Sequence, residues 1–100
     1  MSERIVRRVI VHGRVQGVGY RDWTRHVAHS RNIEGWVRNR RDGSVEAVFA
    51  GTRDGVSGMI AACREGPASA RVEWVEERDA VMSDLELRRG FESFSVIATL

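Results

Sequence analysis

Apolar and polar positions along this chain repeat with two periods, and the switches between them mark out the elements. Residues 4–12, RIVRRVIVH, are rich in Val and Ile and stop at Gly13. The unbroken Val9-Ile10-Val11 run predicts a buried, central strand. From residue 20 to residue 32 the spacing becomes helical, with Tyr20, Trp23 and Val27 at i, i+3 and i+7, Arg25, His29 and Arg31 available for the other face, and Asn32 as terminator. Residues 33–38 predict a second strand and residues 44–50 a third. In the third, Val45, Ala47 and Phe49 alternate with Ser44, Glu46 and Val48. The link between them ends in Asp42-Gly43, a hairpin signal. A second helix follows, with Thr52 as its cap, Asp54 in the first turn, Val56, Met59, Ile60 and Cys63 on one face, and Gly66-Pro67 as its stop. Its internal Gly55 and Gly58 each cost about 1 kcal/mol relative to Ala, which packing must offset. Residues 70–78 predict a fourth strand, with Val72 and Trp74 on one face and Arg71 and Glu73 on the other. In the polar stretch 79–89, Leu85 and Leu87 are expected to prolong the sheet, and residues 94–98 predict a short last strand.

The order is strand, helix, strand, strand, helix, strand, plus a short fifth strand. Two helices on one face of a mostly antiparallel sheet bury both apolar stripes at once. The expected fold class is therefore α+β, a ferredoxin-like split βαβ (βαββαβ) sandwich. One hundred residues, 42% of them apolar and three of them Trp, fit a single packed domain over 1–100.

Charge narrows the partners only a little. Sixteen basic against fourteen acidic residues leave a net charge of +2, which by itself does not imply nucleic-acid binding. Every one of the basic residues is Arg. Selection for phosphate-binding forks would give that pattern, and so would a compositional bias of the source. The single Cys63 cannot form an intramolecular disulfide, and no signal-peptide core or long apolar run is visible. The expectation is a cytoplasmic monomer with no membrane or nucleic-acid partner.

Several chemistries lack their residues. No Ser or Cys sits in a nucleophile motif, although His12, His26 and His29 are present. His26 and His29 stand at i, i+3, but no Cys, Asp or Glu pattern joins them into a metal site. The stretch Gly13-Arg14-Val15-Gln16-Gly17-Val18-Gly19-Tyr20-Arg21 is more telling. It lacks the Gly-Lys-Ser/Thr ending of a P-loop and the acidic partner of a dinucleotide fold. Its glycines free backbone N–H groups to turn inward beside a helix N-terminus, and Arg21 adds a guanidinium, so the volume they enclose suits a phosphate. The candidate phosphate-binding set is Arg14, Val15, Gln16, Gly17, Val18, Gly19, Tyr20 and Arg21. Arg21 is the principal side chain and Arg14 the second candidate. Val15 and Tyr20 are expected to pack the loop, and Gln16 to bond backbone or substrate. In a split βαβ fold the first and third strands are neighbours, so the turn carrying Asn39 meets this loop at one end of the sheet. Asn39 cannot serve as a base but can hold a water by donating and accepting hydrogen bonds. Catalysis would then rest on positioning and electrostatics, which suits phosphoryl transfer with a carboxylate leaving group.

Together the loop and the stretch Gly35-Trp36-Val37-Arg38-Asn39-Arg40-Arg41-Asp42-Gly43-Ser44-Val45 resemble the acylphosphatases, small enzymes that hydrolyse the carboxyl-phosphate bond. The resemblance implies that Arg21 binds the phosphate and Asn39 orients the attacking water, whose proton the substrate phosphate takes. It implies no metal or organic cofactor, and small acyl phosphates as substrates. Gly43, Val45 and Gly51 fall where the family's second motif expects them, whereas Ala98 stands where members often carry an aromatic. Three rival readings keep the fold. An RNA-binding domain would need the aromatic strand signature that is missing here. A carbamoyl-phosphate module, as at the N-terminus of hydrogenase-maturation proteins, would expect a longer chain than one ending at Leu100. An anion-binding regulator would lack turnover.

Overall fold

The computed structural model describes residues 3–100. Strand β1 (Arg4–Arg14) leads into helix α1 (Tyr20–Ser30), then β2 (Glu34–Asn39), β3 (Val45–Thr52), helix α2 (Arg53–Glu65), β4 (Arg71–Asp79), a 3-10 helix (Met82–Leu87) and β5 (Phe94–Val96). The sheet order is β4-β1-β3-β2-β5. Every pairing is antiparallel except that of β2 with β5, which is parallel. This is the ferredoxin-like α+β arrangement.

Alternation along the strands sorts the side chains into two cores. Val9, Val11, Val37, Val45, Ala47 and Phe49 point to the helices, where Val56, Met59, Ile60 and Cys63 of α2 and Tyr20 and Ala28 of α1 close over them. The other face holds a smaller cluster of Trp36, Val48, Ala50 and Leu85. Leu85 belongs to the 3-10 helix and not to a sheet strand, and Leu87 is half exposed, so neither prolongs the sheet. The segment is placed by distant partners instead: the Trp36 indole N–H donates to the Asp84 carbonyl at 2.7 Å, and Arg8 pairs with the Asp84 carboxylate. Covering both faces leaves β3 buried from Val45 to Gly51. Glu46, a polar position of the alternation, is only 4% exposed and is neutralised by Arg38 at 2.8 Å and Arg8 at 3.6 Å.

Local signals set the helix ends. The Thr52 hydroxyl accepts from the Gly55 N–H at 3.0 Å, capping α2. Asn32, with φ 56, turns the chain out of α1. β1 continues two residues beyond the expected His12, because Gly13 and Arg14 still pair with β4 through a register shift. The same shift separates Val72 from Trp74. Val72 packs toward the helices, while Trp74 stacks on His12 with ring centroids 4.0 Å apart. At the shift, a Cβ on Gly13 would lie 2.2 Å from the Arg71 carbonyl oxygen, so only glycine permits that approach.

Candidate active site

The β1–α1 loop, the N-terminus of α1 and the last residue of β2 meet at one end of the sheet. They enclose a cleft of about 370 Å³ lined by Val15, Gly17, Gly19, Tyr20, Arg21, Asp22, Arg25, Asn39 and Val96. Gly17 and Gly19 take φ of 73° and 80°, a conformation L-residues avoid. Gly19 is the residue at the N-cap of α1, and it offers no side chain to the helix N-terminus. The first backbone bond of the helix runs from the Trp23 N–H to the Gly19 carbonyl at 3.0 Å. Among the described residues, the amides of residues 16–22 have no backbone acceptor. Of these residues, Gly17, Gly19, Tyr20, Arg21 and Asp22 line the cleft, so free donors and the positive end of a helix lie at its wall.

Arg21 is half-buried and has no ion-pair partner among the described residues. Asn39 is also half-buried, and its buried Oδ1 has no hydrogen-bond partner among them. A buried acceptor left without a donor costs about 1–3 kcal/mol, so the cleft holds Asn39 in a state that a bound donor would relieve.

The other candidates fall into two groups. Val15, Gly17, Gly19 and Tyr20 line the cleft with Arg21 and Asn39. Arg14, Gln16 and Val18 are not among its lining residues. Arg14 is exposed at the end of β1. Gln16 donates from Nε2 to the carbonyls of Arg40 and Ser44 at 2.7 and 2.8 Å, so it clasps the loop to the two ends of the β2–β3 turn. Val18 is held from outside, its carbonyl accepting from the Ser69 hydroxyl at 2.7 Å. Tyr20 is buried, and its hydroxyl donates to the Cys63 carbonyl at 2.7 Å. Burial, helped by Cys63, pushes that hydroxyl far up, and burial pushes the Cys63 thiol up to about 12. Neither group can exchange a proton or attack near neutral pH.

Asp22, Arg25 and Val96 also line the cleft, although the sequence reading left them out of the site. Arg25 donates to Asp22 at 2.7 Å, and His26 stands 3.4 Å from the same carboxylate. The hydrogen bond from Arg25 holds the Asp22 carboxyl below its ordinary range, so it remains an anion whose charge Arg25 offsets. Arg25 lies four residues after Arg21, one helical turn along the same face, a spacing that marks it as a neighbour. Val96 arrives from 57 residues beyond Asn39 and has no such local signal.

Comparison with known proteins bears on this geometry. The acylphosphatase family model matches residues 7–95. The chain belongs to the acylphosphatase family. An acylphosphatase of Rhodopseudomonas palustris is 56% identical over the whole of both chains. One of Bradyrhizobium diazoefficiens is 53% identical over 97% of this chain and 98% of its own. Among solved structures, an acylphosphatase from Coxiella burnetii superposes with a TM-score of 0.81 at 32% identity, covering 94% of this chain and 93% of that one. Family membership at this level makes the protein an enzyme of acyl-phosphate hydrolysis. No helix among the described residues is long and apolar enough to cross a membrane.

Proposed function

We propose that Arg21 and the free amides of residues 16–22 bind the phosphoryl group of an acyl phosphate, and that Asn39 orients the water that attacks phosphorus. The supporting observation is the Asn39 side chain: its buried acceptor has no partner, and it lines the same cleft as the unpaired Arg21. A water donating to Oδ1 would satisfy that atom and keep a lone pair for phosphorus. Arg21 offers two parallel N–H donors to the phosphoryl oxygens and neutralises charge there. Charge in a loose phosphoryl-transfer transition state spreads over those oxygens, so fixed donors contribute without any covalent step. The departing carboxylate needs no proton, which fits a cleft where the Tyr20 hydroxyl is locked to Cys63 and cannot supply one. The attacking water gives its proton to the phosphoryl group. The chemistry needs no cofactor.

The same proposal takes residues 1–100 as one domain, active as a cytoplasmic monomer on small acyl phosphates and indifferent to nucleic acid. Its test is hydrolysis of benzoyl phosphate in EDTA, followed by ultraviolet absorbance, for the wild type and for Asn39→Ala. The expected result is rapid turnover by the wild type and a loss of about 10²-fold in kcat for the variant, with inorganic phosphate binding retained. Turnover in the variant within about threefold of wild type would remove Asn39 from the mechanism. Loss in EDTA, restored by a divalent ion, would require a metal.

A further inference from the structure

We infer that Arg25 is a second substrate-binding arginine, which donates to the carboxylate that departs from phosphorus, and that Asp22 holds its guanidinium in place for that task. The inference rests on the assignment of the phosphoryl group to Arg21 and the loop amides. Asp22 and Arg25 line the same cleft as Arg21 and Asn39. Arg25 follows Arg21 by four residues of α1, about 6 Å along the helix and on the same face. An acyl phosphate joins its phosphoryl and carboxyl groups through one shared oxygen. With the phosphoryl group on Arg21 and the amides at the N-terminus of α1, the carboxyl group beside it falls within reach of a guanidinium one turn further along. Helix α1 also packs against β5, so Val96 supplies an apolar wall of the cleft for the rest of the acyl group.

The ion pair directs Arg25 without using it up. Arg25 Nη2 donates to Asp22 Oδ1 at 2.7 Å, and that carboxylate stands three residues back along the helix. The bond draws the guanidinium toward the helix N-terminus, where the phosphoryl group binds. A guanidinium carries five N–H donors, and those not given to Asp22 have no acceptor among the described residues. The other carboxylate oxygen of Asp22 has a neighbour of its own, His26 Nε2 at 3.4 Å, which lies outside the cleft lining. The charged groups that line the cleft are Arg21, Arg25 and Asp22, so the pair adds no net charge to that of Arg21. What Arg25 adds is directed donors. In hydrolysis the P–O bond to the acyl group breaks, its electron pair stays on the carboxyl oxygen, and the oxygen of water takes its place on phosphorus. Negative charge grows on that carboxyl oxygen in a loose transition state. A fixed N–H donor therefore stabilises the transition state more than the bound substrate.

The test compares 4-methoxybenzoyl phosphate with 4-nitrobenzoyl phosphate, whose carboxylate is the weaker base and needs less help to leave. Both are assayed with the wild type, with Arg25→Gln and with Asp22→Asn/Arg25→Gln, the double variant in which the pair is gone and the net charge of the cleft is unchanged. Inhibition by inorganic phosphate is measured beside them and reports on Arg21 and the loop amides. In the double variant kcat/KM should fall about tenfold for the 4-methoxybenzoyl substrate and about fivefold for the 4-nitrobenzoyl one, with phosphate inhibition within about twofold of wild type. Arg25→Gln alone should show the same inequality. Equal losses on the two substrates, no loss, or wild-type rates restored by adding Asp22→Asn would overturn the role of Arg25. Phosphate inhibition lost in step with the rates would show a distorted cleft and overturn it too. A wild type that turns over both substrates but is not inhibited by phosphate would instead overturn the phosphoryl assignment beneath it.

Discussion

The two ends of the sheet use the same residue type in opposite ways. At the end where β1 starts, most arginines are paired, Arg4 and Arg88 with Glu34, Arg7 with Asp79 and Glu77, and Arg53 with Glu3, while Arg31 has no ion-pair partner among the described residues. At the end where β1 stops, Arg14, Arg21, Arg40, Arg41 and Arg71 have no ion-pair partner among the described residues. Arg14 and Arg71 even stand opposite each other across the β1–β4 ladder. Like charges gathered without partners repel, so this end gives up stability to keep a positive field over the cleft. The lesson is that an all-arginine basic complement is no single signal. Partner placement, not residue type, sets Arg21 apart from the arginines tied into ion pairs, Arg25 in the same cleft among them.

Substitutions sharpen that division, and the largest effect belongs to the unpaired end. Arg21→Ala should lower kcat/KM by about 10³-fold, chiefly through lost phosphate affinity, without lowering Tm. Unchanged phosphate affinity in a titration would break the assignment. Asn39→Ala comes next, at about 10²-fold in kcat. Gln16→Ala should cost about tenfold in kcat/KM, because the loop and the turn then lose their clasp and the positions of Arg21 and Asn39 loosen. Amide hydrogen exchange should speed up in residues 14–20 and 40–44 of that variant, and protection equal to wild type would deny Gln16 a positioning role.

The smallest effect lies at the paired end. Glu34→Gln should lower Tm by roughly 1–5 °C and leave kcat/KM alone, since exposed ion pairs contribute little. Acid should act there too. The Arg88 hydrogen bond holds the Glu34 carboxyl below its ordinary value, and the Arg64 hydrogen bond does the same for Glu77. Carboxyls depressed on folding stabilise the protein at and above the ordinary carboxylate range. That stability is lost as pH falls through their lowered folded values. Tm followed against pH should therefore fall on the acid side, less steeply in Glu34→Gln than in the wild type. Identical slopes would show that the pairing at this end contributes nothing.

Legibility in the sequence followed the range of the interaction. The stripe of Val56, Met59, Ile60 and Cys63, the Thr52 cap and the Val9-Ile10-Val11 strand are local patterns, and the structure reproduces each. Simple alternation puts Trp74 on the face of Val72, whereas its actual face depends on a register shift opposite Gly13, on a different strand. In the polar stretch 79–89 the expectation that Leu85 and Leu87 prolong the sheet fails, because the 3-10 helix there is positioned by Trp36 and Arg8, 48 and 76 residues away from Asp84. The site divides likewise. Arg21, the glycines and Asn39 lie in short stretches with recognisable chemistry. The destination of the Gln16 side chain lies 24 and 28 residues away, and no local feature announces it.

The place of Val96 in the cleft wall bears on when the enzyme comes into being. Arg21 and Asn39 leave the ribosome early, with the first half of the chain. Val96 comes 57 residues after Asn39, on a strand that pairs with β2 in parallel. A nascent chain thus carries Arg21 and Asn39 while one wall of the cleft is still missing. An acyl phosphate meets an enclosed cleft only once β5 has been made and has paired with β2.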